Sequence, residues 1–476
     1  MVSDSMCKDV LEKCLYMLDE TKRIADSISM QYLKDGALGV LSNAMIKIDR
    51  LQEVESLISS ISDDAIRSQI LRDYACKLAT VGRIDDALNV INNIGEEEYK
   101  FIALKAVIAG LIRRGEVDRA LRVIDSLTTP SFRDELLATA AKVVASLGDI
   151  DTLSRIINEI SSPTYKASAI SLMISIYCAK GEIEKAVAKS NEALGALKEL
   201  SDTLYMDENK RTYVKDIIAI IKKLLGIESI AISLANAGLS DESRKMINEI
   251  MNIIDNIPER DYRLDALRSL IRYASSTESK LNIEDIIEKA KAEYSSITNP
   301  YIIAQTMKEI GVYLYKSGRR EEGANFLRKA VDMAVSLKES FHRDSLLREI
   351  AEDSIGAGYL EIIDKIVEEL SSPSTQIKIL CRMATMAYRV GDTERAYKAL
   401  DGAIEISDRI VEPVWRSKSI GDILVALAEL RACERVLKLL DKFIETIKTI
   451  DKNYSRATIM CEIAAEIASR IKKHST

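Results

Sequence analysis

The sequence is poor in the residues that build tight turns, metal sites and catalytic centres. Aromatic residues make up 5% of its 476 positions, and Trp415 is the single tryptophan. Six prolines and 19 glycines are few for this length, which argues against a β-rich fold with many tight turns. There are two histidines, His342 and His474, and no cysteine pair has C-x-x-C spacing, so a zinc site of ordinary ligand spacing is excluded. Cations are not in excess. Lys and Arg number 67 against 74 Asp and Glu, and the net charge of −7 disfavours nucleic-acid binding through a general basic surface. No run of 18 apolar residues occurs, so no membrane-spanning helix is expected. The opening residues, Met1 to Met6, lack the basic start and apolar core of a signal peptide.

What is present is 47% hydrophobic and 30% charged residues, the balance of a folded, soluble chain. Seven cysteines (Cys7, Cys14, Cys76, Cys178, Cys381, Cys433 and Cys461) are scattered among apolar helical neighbours. That placement leads to an expectation of reduced core thiols in a cytoplasmic protein. Glutamine is scarce while Ile, Lys and Glu are abundant, a composition that points to a thermophilic source.

Self-similarity is the strongest signal. Gly82, Gly115, Gly148 and Gly181 lie 33 residues apart, and each opens one short phrase: Gly82-Arg-Ile-Asp-Asp-Ala87, Gly115-Glu-Val-Asp-Arg-Ala120, Gly148-Asp-Ile-Asp-Thr-Leu153 and Gly181-Glu-Ile-Glu-Lys-Ala186. Asp49 holds the equivalent place one period earlier. The phrase returns at Gly318 and Gly391 and, more loosely, at Gly238 and Gly358. Pro130, Pro163, Pro300 and Pro373 each stand 18 residues before one of these glycines, and Pro258 and Pro413 obey the same rule if Ser276 and Arg431 hold the turn position.

The pattern has a direct physical reading. Proline opens a first helix, A, because its missing N–H and fixed φ suit the first helical position. Glycine ends that helix in the left-handed conformation. The acid three residues later starts helix B, where the dipole favours negative charge. Leu71, Leu104, Leu137 and Ile170 recur on helix A, with Ile91, Ile124 and Ile157 on helix B, and the small Ala87 and Ala120 let the two helices approach. Each unit is an amphipathic hairpin that must stack on its neighbours. The expectation is an all-α, right-handed superhelical solenoid of about eleven antiparallel hairpins. A helix at roughly residues 5–27 precedes them, and a capping helix at about residues 454–471 follows. The repeats divide the chain into an N-terminal half, 1–203, with a 33-residue period and a C-terminal half, 204–476, with mostly 38–42 residues. The long interval around residues 202–226 reads as one lengthened hairpin with an extra helix, or as a hinge.

The phrase Gly-x-[Ile/Val]-[Asp/Glu]-x-Ala, with a proline between units, resembles the turn and helix-B start of tetratricopeptide repeats. Units beginning Ser-Pro-x-Tyr-Lys-x-x-Ala, as at Ser162–Ala169, look most like the aromatic-poor tetratricopeptide-like arrays of archaea, and the longer units also read as HEAT-like. The departures are an aliphatic residue, Leu71 or Leu104, at the family's aromatic helix-A position and a period of 33 or about 40 where the family has 34. The resemblance implies a non-catalytic scaffold whose concave face, lined by A helices, binds a partner protein or peptide. It implies no catalytic residue, metal or cofactor.

No phosphate loop, dinucleotide-binding glycine run or nucleophile elbow occurs. Asp63-Asp64 and Asp85-Asp86 read as helix N-terminal charges. His342 occupies the slot of Tyr99, Phe132, Tyr165 and Trp415, which reads as a packing position between repeats. In most units a cation follows the proline position by three residues (Lys34, Arg67, Lys100, Arg133, Lys166, Arg343, Arg416, Arg456). It pairs with the acids of the Asp85, Asp118, Asp151 and Glu184 series, or else forms a basic stripe for an acidic or phosphorylated partner. By register, Gln305, Lys308, Tyr315, Arg348 and Tyr388 lie on the concave face of the C-terminal half. Exposed Tyr and Arg are favoured anchors, so the partner site is expected there, with Tyr315 and Tyr388 packing between helices as the alternative. The rival functions are a ligand-sensing regulatory solenoid and an enzyme built on an α/α helical array.

Overall fold

A computed structural model describes residues 2–126, 130–198, 227–228, 230–257, 259–276 and 280–473. The described residues are helical, with no strand among them, and the helices pack in adjacent pairs. They fall into two compact units, Met1–Ala103 with Val335–Thr476, and Leu104–Ala334. The division expected after residue 203, the interval 202–226, Pro258 and His474 lie outside the described residues.

The A helices have a nearly constant length. Asp64–Thr80, Pro163–Ala179, Arg260–Ser276, Pro300–Lys316, Pro373–Arg389 and Pro413–Glu429 all span 17 residues. Four of these begin with proline, as the missing N–H allows. The B helices carry the change of period. Ile84–Ile91 and Val117–Asp125 have 8 and 9 residues, whereas Ser240–Asp255, Thr393–Asp408 and Cys433–Lys448 have 16.

Ten of the described turns after helix A carry a left-handed residue. Gly82, Gly115, Gly148, Gly181, Gly238, Gly318, Gly358 and Gly391 all have positive φ. Among the described residues, the non-glycine residues with positive φ are Asp49, at 67°, and Arg431, at 55°, two of the three substitutes expected from the repeat. The following N–H then reaches back five residues, as from Arg83 to the Leu78 carbonyl at 2.8 Å and from Asp392 to that of Ala387 at 2.9 Å. These bonds satisfy carbonyls that a helix end leaves open. Ser276 departs from the expectation. Its helix starts at Arg260, two residues beyond Pro258, so Ser276 is the last helical residue and does not hold the turn.

Leu71, Leu104, Leu137 and Ile170 are buried, as are Ile91, Ile124, Ile157, Ala87 and Ala120. In several repeats the fifth position of helix A holds a polar residue, buried at Asp35, Ser68 and Asp134 and half-buried at Asp344. Asp134 accepts from the N–H groups of Ser161 at 3.0 Å and Ser162 at 2.6 Å, at the entrance to the next A helix. Asp35 serves Ser62 and Asp63 in the same way, Asp344 serves Ser371, and Ser68 accepts from Gly95. One repeat thereby caps the start of the following one.

In the first unit the two ends of the sequence meet. The first helix, Val2–Asp26, lies along the last, Asn453–Lys473, which also packs on Gln31–Lys47. A stripe of Cys7, Val10, Cys14, Met17, Leu18, Thr21 and Ala25 is buried in this contact. The last helix is therefore no cap. It is an A helix whose B helix comes from the other end of the sequence. Lys13 pairs with Asp441 at 2.6 Å, Asn453 donates to the Ser27 hydroxyl at 3.3 Å, and Lys472 donates to the Ile48 carbonyl at 2.9 Å.

The same junction corrects the reading of the cysteines. Cys7 and Cys433, whose Cα atoms are 5.3 Å apart, form a disulfide across 426 residues of sequence. Neighbouring B positions place them within bridging distance, which sequence spacing alone does not reveal. The other five cysteines are free. Burial pushes the Cys14 thiol up to about 12 and raises those of Cys381 and Cys461 as well.

Candidate functional site

The A helices of the first unit present a charged, solvent-facing stripe. On Pro373–Arg389 it consists of Lys378, Arg382, Thr385 and Arg389, spaced by four, three and four residues and hence on one face. Lys418, Asp422, Val425 and Glu429 hold the same register on Pro413–Glu429. Glu462, Glu466 and Arg470 extend it on Asn453–Lys473, and Asn43 and Lys47 on Gln31–Lys47.

Ion pairs run along this stripe. Glu352 meets Arg348 at 3.5 Å and Arg382 at 3.0 Å. Glu429 meets Arg389 at 2.6 Å and Arg470 at 3.4 Å, and Glu466 continues the line to Lys47. The line thus crosses from the C-terminal helices to an N-terminal one. Helix Pro373–Arg389 has three cations and no acid of its own, so its neighbours supply the balancing charge. Burial raises the Asp422 carboxyl above its ordinary range, and Lys378 and Lys418 act against that rise. Tyr388 stands on the same helix with 40% of its surface exposed.

The five residues expected at a partner site separate into two groups. Arg348 and Tyr388 are exposed in the first unit. Gln305, Lys308 and Tyr315 belong to the second. There the Gln305 amide accepts from Arg268 at 2.8 Å and donates to the Tyr301 hydroxyl at 3.2 Å. Lys308 is 4% exposed and pairs with Glu309 at 3.3 Å, which removes it from the surface. Tyr315 is half-buried with the Arg320 guanidinium 5.9 Å from its ring centre. Hydrophobic register alone does not distinguish an inward charge that finds a partner from one that stays in water.

His342 also departs from the expected packing role. It is exposed at a helix start, and its Nδ1 lies 2.7 Å from Glu339. Most of the recurrent cations are engaged by the array. Lys34 meets Asp26 at 3.6 Å, Lys100 meets Glu97 at 3.0 Å, and Arg416 meets Asp408 at 3.1 Å. Arg133 meets both Asp125, at 3.0 Å, and Glu159, at 3.1 Å. Arg67 and Arg263, the latter hidden by the two-residue shift after Pro258, donate to the Ile61 and Ile257 carbonyls beyond the preceding helix. A cation in a first turn opposes its own helix dipole, and here the end of the preceding helix offsets that cost. Asp118, one of the expected acid partners, instead holds Arg155 at 2.5 Å.

A groove of about 500 Å³ lies among Asp364, Leu380, Met383, Asp392 and Arg395. Its polar groups have structural tasks: Asp392 caps the Arg395 N–H at 3.1 Å, and Arg395 donates to the Leu360 carbonyl at 2.9 Å. Glu228 is fully buried with neither carboxyl oxygen hydrogen-bonded, and burial holds its pKa well above the usual range. Among the described residues no group of His, Cys, Asp and Glu is placed to hold a metal, and no helix is long and apolar enough to cross a membrane.

No protein-family model matches the sequence, and no curated protein matches it. Among solved structures, Ton1535 from Thermococcus onnurineus NA1 is 17% identical, with 75% of this chain and 97% of that chain covered and a TM-score of 0.30. The apo quorum sensor NprR from B. thuringiensis is 12% identical, covering 77% of this chain and 98% of that one, with a TM-score of 0.24. A circular tandem repeat protein with novel repeat topology is 12% identical over 98% of each chain, with a TM-score of 0.20. Scores this low carry no argument about this chain. Its own paired helices and recurring left-handed turns make it an all-α, helical-repeat protein.

Proposed function

We propose that this protein is a non-catalytic interaction scaffold that binds a protein or peptide partner on the A-helix stripe of the first unit, centred on Tyr388. The observation that supports this reading is the exposed Tyr388 on a helix whose own charges, Lys378, Arg382 and Arg389, are all cationic, within the unit that holds Arg348. An aromatic ring and guanidinium groups on one helix surface offer apolar area and directional donors, residue types that dominate binding energy at protein surfaces. Lys308 drops out because it is buried, and Gln305 and Tyr315, which belong to the second unit, are left out of this site. The right-handed superhelix of about eleven hairpins, its tetratricopeptide-like archaeal type, the division after residue 203 and a cytoplasmic location belong to the same proposal.

The test is quantitative affinity capture with the wild type beside a bait carrying Arg348→Glu and Tyr388→Ala. A partner enriched by the wild type and lost with the double variant supports both scaffold and site. A partner retained equally by both moves the site elsewhere. Absence of any enriched protein, with a melting temperature that rises saturably with one small molecule, replaces the scaffold by a ligand sensor.

A further inference from the structure

The hairpin divided between the two ends of the sequence is held by one covalent bond. The first helix, Val2–Asp26, is joined to Gln31–Lys47 through residues 27–30. Its remaining attachment is side-chain contact. The buried stripe from Cys7 to Ala25 faces the last hairpin, Lys13 pairs with Asp441, and Asp19 lies 3.6 Å from Arg50. Both ion pairs involve well-exposed carboxylates, of the kind that contributes little in water. Elements tied by so few backbone connections open first. The Cys7–Cys433 bond sits near the end of this helix remote from that link.

We propose that the Cys7–Cys433 disulfide is a redox-sensitive latch that sets whether the first helix stays docked as the B helix of Asn453–Lys473. In the oxidised chain the bond fixes Cys7 against Cys433 and the divided hairpin is closed. A dithiol reductant transfers two electrons and two protons: the Cys7–Cys433 bond breaks to give two thiols, and the reductant closes its own disulfide. The helix then docks by non-covalent contact alone and exchanges with a detached state. Cys7 and Cys433 are 5% and 3% exposed, so reduction passes through a partial opening of the helix and is slow in the native protein. Cys14, further along the same helix, is a poor competitor. Its raised pKa keeps it protonated, and a protonated thiol does not attack a disulfide. The inference is independent of the partner reading, since it concerns only the docking of the first helix.

The test uses the full-length protein. Alkylation after denaturation without reductant should label five of the seven cysteines, and all seven after treatment with dithiothreitol. Hydrogen exchange read by mass spectrometry should show protection across residues 5–26 falling by about tenfold or more on reduction, and returning on reoxidation, with Pro373–Arg389 unchanged. Cys7→Ser should show the reduced pattern whether or not reductant is added, whereas Cys14→Ser should keep the switch. Labelling of all seven cysteines before reduction overturns the proposal. So does a disulfide whose reduction leaves exchange in 5–26 unaltered, and because wild type supplies that readout, a poorly folding variant does not blur it.

Discussion

Gly311 and Gly323 face each other inside one hairpin at a separation that leaves no room for a methyl group. A Cβ on Gly323 would lie 2.7 Å from the Gly311 carbonyl oxygen and 2.5 Å from the Tyr315 nitrogen. A Cβ on Gly311 would meet Leu327 Cγ at 2.8 Å. Gly323 stands where other repeats have Ala87 or Ala120, so this hairpin is the more closely packed version of a general contact.

Gly323→Ala is therefore expected to destabilise the protein by about 1–3 kcal/mol, because overpacking against backbone outweighs the gain in helix propensity. Gly402→Ala is the control. Its Cβ would meet only Leu380 Cδ1, at 4.0 Å, and it should stabilise by about 0.5–1 kcal/mol. Urea unfolding of the two variants checks both signs. Equal effects would contradict the packing argument.

The turn positions make a second pair. Gly391 has a φ of 88°, and a Cβ there would have nothing within 4 Å. Substitution by alanine should therefore cost about 1 kcal/mol through backbone strain alone. Arg431→Gly should move the other way by about 0.5–1 kcal/mol, since arginine there already bears that strain. Thermal unfolding of both variants tests whether one conformational requirement governs the two sites.

These turns also show how far the sequence could be read. Glycine period, proline position and apolar spacing reveal the hairpins because each answers to a local rule, and Asp49 and Arg431 were identifiable by their place in the repeat. Ser276 misled because its helix begins at Arg260, two residues later in the sequence than the proline rule expects. The docking of Val2–Asp26 on Asn453–Lys473 was hidden for a different reason. Both helices read as ordinary amphipathic segments, and local periodicity says nothing about a neighbour more than 400 residues away. At the candidate site, register placed Arg348 on an exposed face but left open whether Tyr388 packs between helices, and the burial of Lys308 depends on Glu309 and its surroundings.

Asp134 should be among the costlier single sites on helix Pro130–Ser146. Asp134→Ala leaves the Ser161 and Ser162 N–H groups without their charged acceptor and is expected to cost about 2–3 kcal/mol. Asp134→Asn keeps an acceptor and should cost less. A ranking of Ala above Asn in the drop of urea midpoint supports the cap, and equal drops would assign the effect to packing.

Asp422 gives a signed pH dependence. Burial raises its pKa in the folded chain above the ordinary 3.8, so folding favours its protonated form. The resulting stabilisation is fully present below the unfolded value and is lost as pH rises through the raised folded value. Asp422→Asn should therefore match the wild type in melting temperature near pH ~3.5 and exceed it at neutral pH. A difference that does not vary with pH would rule out titration of this group as the cause.

The hairpin shared by the first and last helices sets a timetable for synthesis. Most repeats find their packing neighbours within a few tens of residues, so they can assemble as they emerge. The first helix cannot. Its apolar stripe waits for Asn453–Lys473, and at about 5–20 residues per second the delay is roughly 20–90 s. Throughout that time the nascent chain carries an uncovered row from Val10 to Leu18 at its leading end. The divided hairpin thus turns a fold of mostly local contacts into one whose final step is the most distant contact in the sequence, and it exposes the growing chain to aggregation until that step is complete.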